Sequence, residues 1–198
     1  YVEAMNDLMS TKWGKSFPAA VSIHQYAFNG YDDATHVVVL NYDNPQDLGA
    51  GTASFNDPVF QSFFAKTSAI AEPVEQALNM KLISAGNQDP ENNQAYTIFR
   101  MQVKDPAEYA AAYSKLTKAQ EDAGNTAGSY GLRQLVGGDT RYYTHYAYTS
   151  AASIGDAMAS AETMYSSDSF AEFAEEISEN RRLMNVSILV NVVNYNTN

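Results

Sequence analysis

The sequence contains no cysteine, and this absence excludes several kinds of chemistry. Without a thiol the chain has no disulfide framework, no thiol nucleophile and no cysteine-ligated metal. The short motifs GxGxxG, HExxH and GxSxG, the P-loop and the EF-hand are also absent, so nucleotide, zinc-protease, serine-hydrolase and calcium sites have no support. We therefore expect no metal site, and histidine, arginine and tyrosine side chains remain as the candidates for chemistry.

Positive charge and long apolar runs are scarce as well. The chain has 12 Lys and Arg against 23 Asp and Glu, for a net charge of −11. A surface of this sign repels phosphate backbones, so nucleic acid is not an expected partner. No apolar run approaches the roughly 20 residues that span a bilayer, so we expect no membrane span.

The start of the chain and its composition bear on localisation. The sequence begins with Tyr1, which a cleaved export signal would explain, although trimming would leave the same start. An acidic, cysteine-free chain rich in Asn, Ser, Thr and Tyr also suits a place outside the cytoplasm. The expectation is therefore a periplasmic or secreted protein.

A degenerate repeat runs through most of the sequence. A shift of 109 residues superposes "IHQYAFNG" at 23–30 on "LRQLVGGD" at 132–139, and it places Gln25 on Gln134 and His36 on His145. Upstream, 1–13 resembles 109–120, and both show large residues at helical spacing. The second copy predicts, in order, a strand at 96–103, a helix from about 106, strands near 129–136 and 141–149, a helix at about 168–183 and a strand at 186–195.

This order is βαββαβ, and the first copy shows the same order without its first strand. Its later elements are a helix at about 57–78 and a strand at 80–85. The predicted organisation is a first repeat at 1–86, a linker at 87–94 and a second repeat at 95–198. We expect the missing strand to lie upstream of Tyr1; the alternative is donation by another copy, for instance through 192–198, which would produce a self-assembling polymer.

The tandem βαββαβ order resembles the dimeric α/β-barrel superfamily of ferredoxin-like folds in its fused form. That superfamily includes antibiotic-biosynthesis-type monooxygenases, stress-responsive barrel proteins, and haem proteins of the chlorite-dismutase and dye-decolourising-peroxidase kind. The resemblance implies an α+β fold in which two antiparallel sheets pack face to face around a cavity. Apolar runs such as "VVVL" at 37–40 would then be covered on both faces.

The candidate site residues are three histidines and two arginines. His24, His36 and His145 all fall in predicted strands, where one could serve as a general base or, as the haem branch implies, a haem ligand; the alternative is a structural role. Alternation in 97–103 places Arg100 on the polar face. Arg100 and Arg133 could bind an anion; the alternative is that they form an internal ion pair or hydrogen bonds to the backbone. The tyrosine cluster at 142–148 suits cross-strand packing.

Three functions remain open at this point. The leading hypothesis is a protein that binds a small, partly apolar or anionic molecule between its sheets without a known cofactor. The first alternative is a cofactor-independent monooxygenase or a haem-dependent enzyme that uses a strand histidine. The second is a secreted structural or self-assembling protein with a filled core. Homo-oligomers are compatible with all three.

Overall fold

The computed structural model describes residues 1–30, 33–125 and 128–197, and it shows a mixed α+β fold. The helices are α1 Val2–Ser10, α2 Lys12–Ser16, α3 Pro45–Ser54, α4 Pro58–Thr67, α5 Pro106–Asp122, α6 Ile154–Tyr165 and α7 Asp168–Glu176. The strands are β1 Ala20–Phe28, β2 His36–Asn41, β3 Leu78–Gly86, β4 Ala95–Val103, β5 Ser129–Gly137, β6 His145–Ala151 and β7 Arg181–Tyr195. A short 3-10 turn, Pro90–Asn92, precedes β4.

The chain folds into two compact units. The first consists of Tyr1–Gln25, His36–Val74 and Asn191–Asn198, and the second of Tyr26–Thr35 and Glu75–Val190. The predicted repeats at 1–86 and 95–198 divide the chain in a different way, and that division stays a prediction.

In the first unit, a β-hairpin packs on helices. Strand β1 pairs antiparallel with β2, with Val21 opposite Leu40 and Gln25 opposite His36, and β7 is its other neighbour in the strand order. Alternate residues of β1, Val21 and Ile23, face the apolar core because successive side chains of a strand point to opposite sides. The helical and loop residues buried with them are Met5, Leu8, Met9, Phe17 and Ala19.

In the second unit, five antiparallel strands follow the order β7-β4-β6-β5-β3. One face of the sheet carries Met101, Leu132 and Ala147, which pack against α5 and α7. The helical partners are Tyr109, Ala112, Tyr113, Leu116, Phe173 and Ile177. The apolar face predicted for 97–103 is therefore confirmed, and the opposite face carries Arg100.

The predicted helices near 57–78 and 168–183 were too long, and two helices were missed. Helix α4 ends at Thr67 and α7 at Glu176, while Leu78 and Arg181 already begin strands. The missed helices α3 and α6 follow local N-terminal caps. Asn44 accepts a hydrogen bond from the Asp47 backbone N–H (2.9 Å), and Ser153 accepts one from that of Asp156 (3.1 Å). The capping residues Asn44 and Ser153 are 109 residues apart, so the repeat in the sequence already contained a signal for the start of both helices.

Strand β2 also differs from expectation. We expected "VVVL" to be covered on both faces, yet Val38, Val39 and Leu40 are 37–39% exposed. The reason is that β2 stands at one end of the strand order, with β1 as its neighbour among the described residues. A strand with one neighbour exposes side chains that a second strand would partly cover.

None of the described helices is both long and apolar enough to cross a membrane.

Replacing Leu132 by Ala should lower the free energy of unfolding by about 2–5 kcal/mol, because its fully buried side chain would leave a cavity. Val136 lies on the same strand and is 54% exposed, so Val136→Ala should change stability by no more than about 0.5 kcal/mol. Urea unfolding followed by circular dichroism measures both values. Equal losses for the two variants would contradict the assigned faces of β5.

Candidate functional site

A row of polar side chains crosses three strands on the sheet face opposite the helices of the second unit. Arg100 on β4 lies opposite Tyr146 on β6, and Tyr146 lies opposite Arg133 on β5. Directly opposed residues on neighbouring antiparallel strands share a face and have their Cβ atoms about 5 Å apart. The register therefore places one tyrosine between two guanidinium groups, and we call these three residues the arginine–tyrosine row.

The charge of Arg100 has a partner within the second unit. Its Nη1 lies 3.4 Å from Oε2 of Glu75, and its Nη2 donates a hydrogen bond of 3.3 Å to the hydroxyl of Tyr26. The guanidinium also lies over the ring of Tyr143, with Cζ 5.3 Å from the ring centroid. Arg100 is thus held by an ion pair and two aromatic side chains.

Arg133 is held differently, by neutral groups alone. Its Nη1 donates to the backbone carbonyls of Ile83 and Leu132, and its Nη2 donates to Ser84 Oγ (2.8 Å) and the Tyr148 hydroxyl (3.2 Å). Its Cζ also lies 5.0 Å from the centroid of the Tyr148 ring. Among the residues that the structure describes, no carboxylate pairs with this half-buried cation.

Gly131 is what lets Arg133 lie against the sheet. A Cβ atom at Gly131 would stand 2.5 Å from the carbonyl oxygen of Ile83 and 2.7 Å from both Arg133 Nη1 and Tyr148 Cε1. Any larger residue would displace the guanidinium or the ring. Sequence reasoning missed this residue, although a glycine inside a strand is a known sign of a close approach.

The hydroxyl of Tyr146 remains protonated at neutral pH. Burial raises its pKa to about 12, even though the positive charge of Arg133 acts in the opposite direction. The row therefore offers a hydroxyl donor between two cations, and the rings of Tyr143 and Tyr148 lie beside it. Such a surface can hold an anion whose remaining body is flat and apolar.

The histidines do not converge on this row. His145 follows Thr144, lies next to Tyr146 on β6 and so points to the opposite, helix-covered face. Its side chain is buried, its Nδ1 lies 3.0 Å from Thr144 Oγ1, and its buried Nε2 has no hydrogen-bond partner among the described residues. Burial also lowers its pKa.

The other two histidines lie on opposite faces of the hairpin in the first unit. His24 is opposite Val37, whereas His36 is opposite Gln25, so the two imidazoles do not share a face. His36 is exposed at the start of β2. His24 is buried, with Nε2 2.8 Å from Ser22 Oγ, and burial lowers its pKa to about 4.

The described residues contain no group of three or more His, Asp or Glu side chains that could hold a metal ion. The arginine–tyrosine row consists of guanidinium and phenol groups, which bind through hydrogen bonds and charge. The roles that the sequence suggested for the five candidate residues stay predictions.

No protein-family profile matches the chain, and no curated protein matches its sequence. Several solved structures resemble its fold, and three of them are described here. A protein of Lactobacillus acidophilus NCFM, provisionally named a monooxygenase, gives a TM-score of 0.62 at 10% identity over 98% of this chain and 87% of that one. A protein of Fusobacterium nucleatum with the same provisional name gives a TM-score of 0.64 at 14% identity, over 98% of this chain and 86% of that one.

The third is an anthrone oxidase-like protein, with a TM-score of 0.61 at 10% identity over 98% of this chain and 84% of that one. At such identities the likeness establishes the fold and leaves the function to the site. The mixed α+β class of fold that the element order predicted is therefore confirmed. The finer arrangement, two tandem ferredoxin-like repeats, stays a prediction.

The buried His24 should make the protein less stable in acid. Its pKa is about 4 in the folded state against 6.5 unperturbed, so the unfolded chain binds the extra proton between these values. Its contribution to stability is present above pH 6.5 and falls by about 3 kcal/mol as the pH decreases to 4.

Urea unfolding at pH 7 and pH 4 measures the decrease in the free energy of unfolding. In the His24→Gln variant most of this decrease should be absent. His36→Gln, at an exposed position of the same hairpin, is the control and should retain the full pH dependence. If the two variants keep the same dependence, His24 is not the titrating group.

Proposed function

We propose that the protein binds a small, flat, partly apolar anion at the arginine–tyrosine row. The observation that carries the proposal is Arg133, a half-buried cation with which no carboxylate of the described residues pairs, in a chain of net charge −11. The four hydrogen bonds of Arg133 to neutral groups offset the cost of removing the guanidinium from water, but they do not supply an opposite charge. A bound carboxylate, phenolate or sulfonate would supply that opposite charge.

The neighbouring rings account for the apolar part of the ligand. Tyr148 and Tyr143 each lie against one guanidinium, and Tyr96 lies 6.2 Å from Tyr148 between ring centroids. Aromatic side chains favour offset or edge contacts with another ring at such separations. The ligand class that fits best is therefore an aromatic monoanion, with its charge at Arg133 and its ring beside the tyrosines.

The test uses two fluorescent probes that differ in charge, anilinonaphthalene sulfonate and the neutral N-phenylnaphthylamine. Arg133→Met should weaken binding of the sulfonate by about 10- to 100-fold, since a charge-assisted hydrogen bond contributes about 1.5–3 kcal/mol. Binding of the neutral probe should change little. Fluorescence titration gives both dissociation constants.

Arg141→Met is the matched control, because Arg141 is an exposed arginine that pairs with Asp139 outside the row. It should leave the affinity for the sulfonate unchanged. Equal losses for Arg133→Met and Arg141→Met, or no loss for either, would show that the row is not the anion site.

A second candidate function is oxidation of such a ligand by molecular oxygen without a cofactor. The specific observation is that Tyr146, whose hydroxyl is protonated, lies opposite Arg133, because these two groups would stabilise an enolate or phenolate, the anion that reacts with oxygen directly. Three fold neighbours named for monooxygenase or anthrone oxidase activity support it as an alternative.

An oxygen electrode with anthrone as substrate tests this second function. Conversion of the methylene to a carbonyl would consume one O₂ for each anthrone and release one water. Arg133→Met should lower the rate by about 10- to 100-fold relative to Arg141→Met, because the same charge-assisted contact would be lost from the transition state. If oxygen uptake equals the rate without protein, anthrone is not a substrate. The binding proposal would not be affected by that result, because the fluorescence titration tests it separately.

A further inference from the structure

Glu75 brings a negative charge to one end of the arginine–tyrosine row. Its Oε2 lies 3.4 Å from Nη1 of Arg100, and the two side chains are only 26% and 18% exposed, so water and salt screen this pair incompletely. Burial raises the pKa of the Tyr143 hydroxyl, and the charge of Glu75 raises it further, so the carboxylate lies near that phenol as well. The row therefore has an acidic group of the protein itself beside it.

The two guanidiniums of the row have similar neutral surroundings. Each of them lies over a tyrosine ring and donates a hydrogen bond to a tyrosine hydroxyl. These contacts orient a guanidinium without cancelling its charge. In the part of the chain that the structure describes, a carboxylate pairs with Arg100, whereas none pairs with Arg133. Without Glu75, Arg100 would therefore offer an anion the same kind of position that Arg133 offers.

Glu75 belongs to a segment without regular secondary structure. Residues 71–77 form neither helix nor strand and are exposed, and β3 begins directly after them. The residues of the row lie instead on paired strands, which fix their positions. Irregular segments often carry specificity, because they can change without disturbing the elements that they connect. The carboxylate reaches the row from outside the sheet, and its removal should leave the strands in place.

We propose, building on the function proposed above, that Glu75 limits the ligand of the row to a single negative charge. Together with Arg100 and Arg133 it leaves one net positive charge, which complements a monoanion. A monoanion bound at Arg133 leaves the ion pair of Arg100 intact. A flat dianion that reached both guanidiniums would have to displace the carboxylate of Glu75 or lie against it, and like charges repel strongly where water is partly excluded.

The spacing of the two arginines defines the shape of that dianion. Two steps between directly opposed residues separate the Cβ atoms of Arg100 and Arg133 by about 10 Å. Burial raises the pKa of Tyr146, which lies between them, and the positive charges of both arginines counteract this rise, so both guanidiniums lie near its hydroxyl. An aromatic ring system with one acid group at each end matches this arrangement.

The experiment compares naphthalene monosulfonate with the naphthalene disulfonate whose two acid groups stand at opposite ends of the ring system. Calorimetric titration gives both dissociation constants, and their ratio measures the preference between one charge and two. In Glu75→Gln the ratio should shift toward the disulfonate by about 10- to 100-fold, because Arg100 then provides a further charge-assisted hydrogen bond. Circular dichroism checks that the variant is folded.

Glu72→Gln is the matched control, because it removes the same charge from an exposed position of the same segment. It should leave the ratio unchanged. In the double variant Glu75→Gln/Arg100→Met the gain for the disulfonate should disappear, because the guanidinium that the single variant releases is then absent.

Equal ratios for Glu75→Gln and Glu72→Gln would overturn the proposal, and so would a gain that persists in the double variant. Neither result affects the proposed function, which depends on the loss of sulfonate binding in Arg133→Met. If the unaltered protein and Glu75→Gln bind neither sulfonate, the proposed function and the role of Glu75 are both wrong.

Discussion

The pairing of β5 with β6 is the constraint on which the rest of the second unit depends. With Gln134 opposite His145, the next pair inward is Arg133 opposite Tyr146, and Leu132 then falls opposite Ala147 on the core side. A slip of one residue would move the guanidinium into the apolar core and expose the core side chains, because successive residues of a strand face opposite sides. The position of the charged row and the burial of the core are thus two results of one register.

The sequence predicted those parts of the fold that follow from short-range pattern. Alternation in β4 identified the face of Arg100. The 109-residue shift placed Gln25 on Gln134 and His36 on His145, and the structure shows these residues at equivalent positions of the two hairpins. The sequence could not predict whether His24 and His36 share a face, because the parity of a hairpin depends on its register. It also could not predict the partners of Arg133, since Ile83 and Ser84 are brought to it by pairing of strands about fifty residues apart.

Arg133 shows how neutral groups can hold a half-buried cation in an acidic protein, since no acidic side chain in the part of the chain that the structure describes pairs with it. Two backbone carbonyls, a serine and a tyrosine hydroxyl direct their negative dipole ends at the guanidinium, and the face of Tyr148 adds its quadrupole. These groups orient the cation but leave its net charge in place. A carboxylate partner, as Glu75 is for Arg100, would have cancelled the attraction for an incoming anion.

The allocation of β3 and β7 to the two units has a consequence for fragments of the protein. Strand β3 follows the elements of the first unit in sequence but pairs with β5 in the second, while the last residues of β7 belong to the first. A cut between β3 and β4 would therefore separate β3 from β5, and it would separate the end of β7 from the rest of the first unit. Neither fragment would keep all the strand pairs that its residues make in the intact chain.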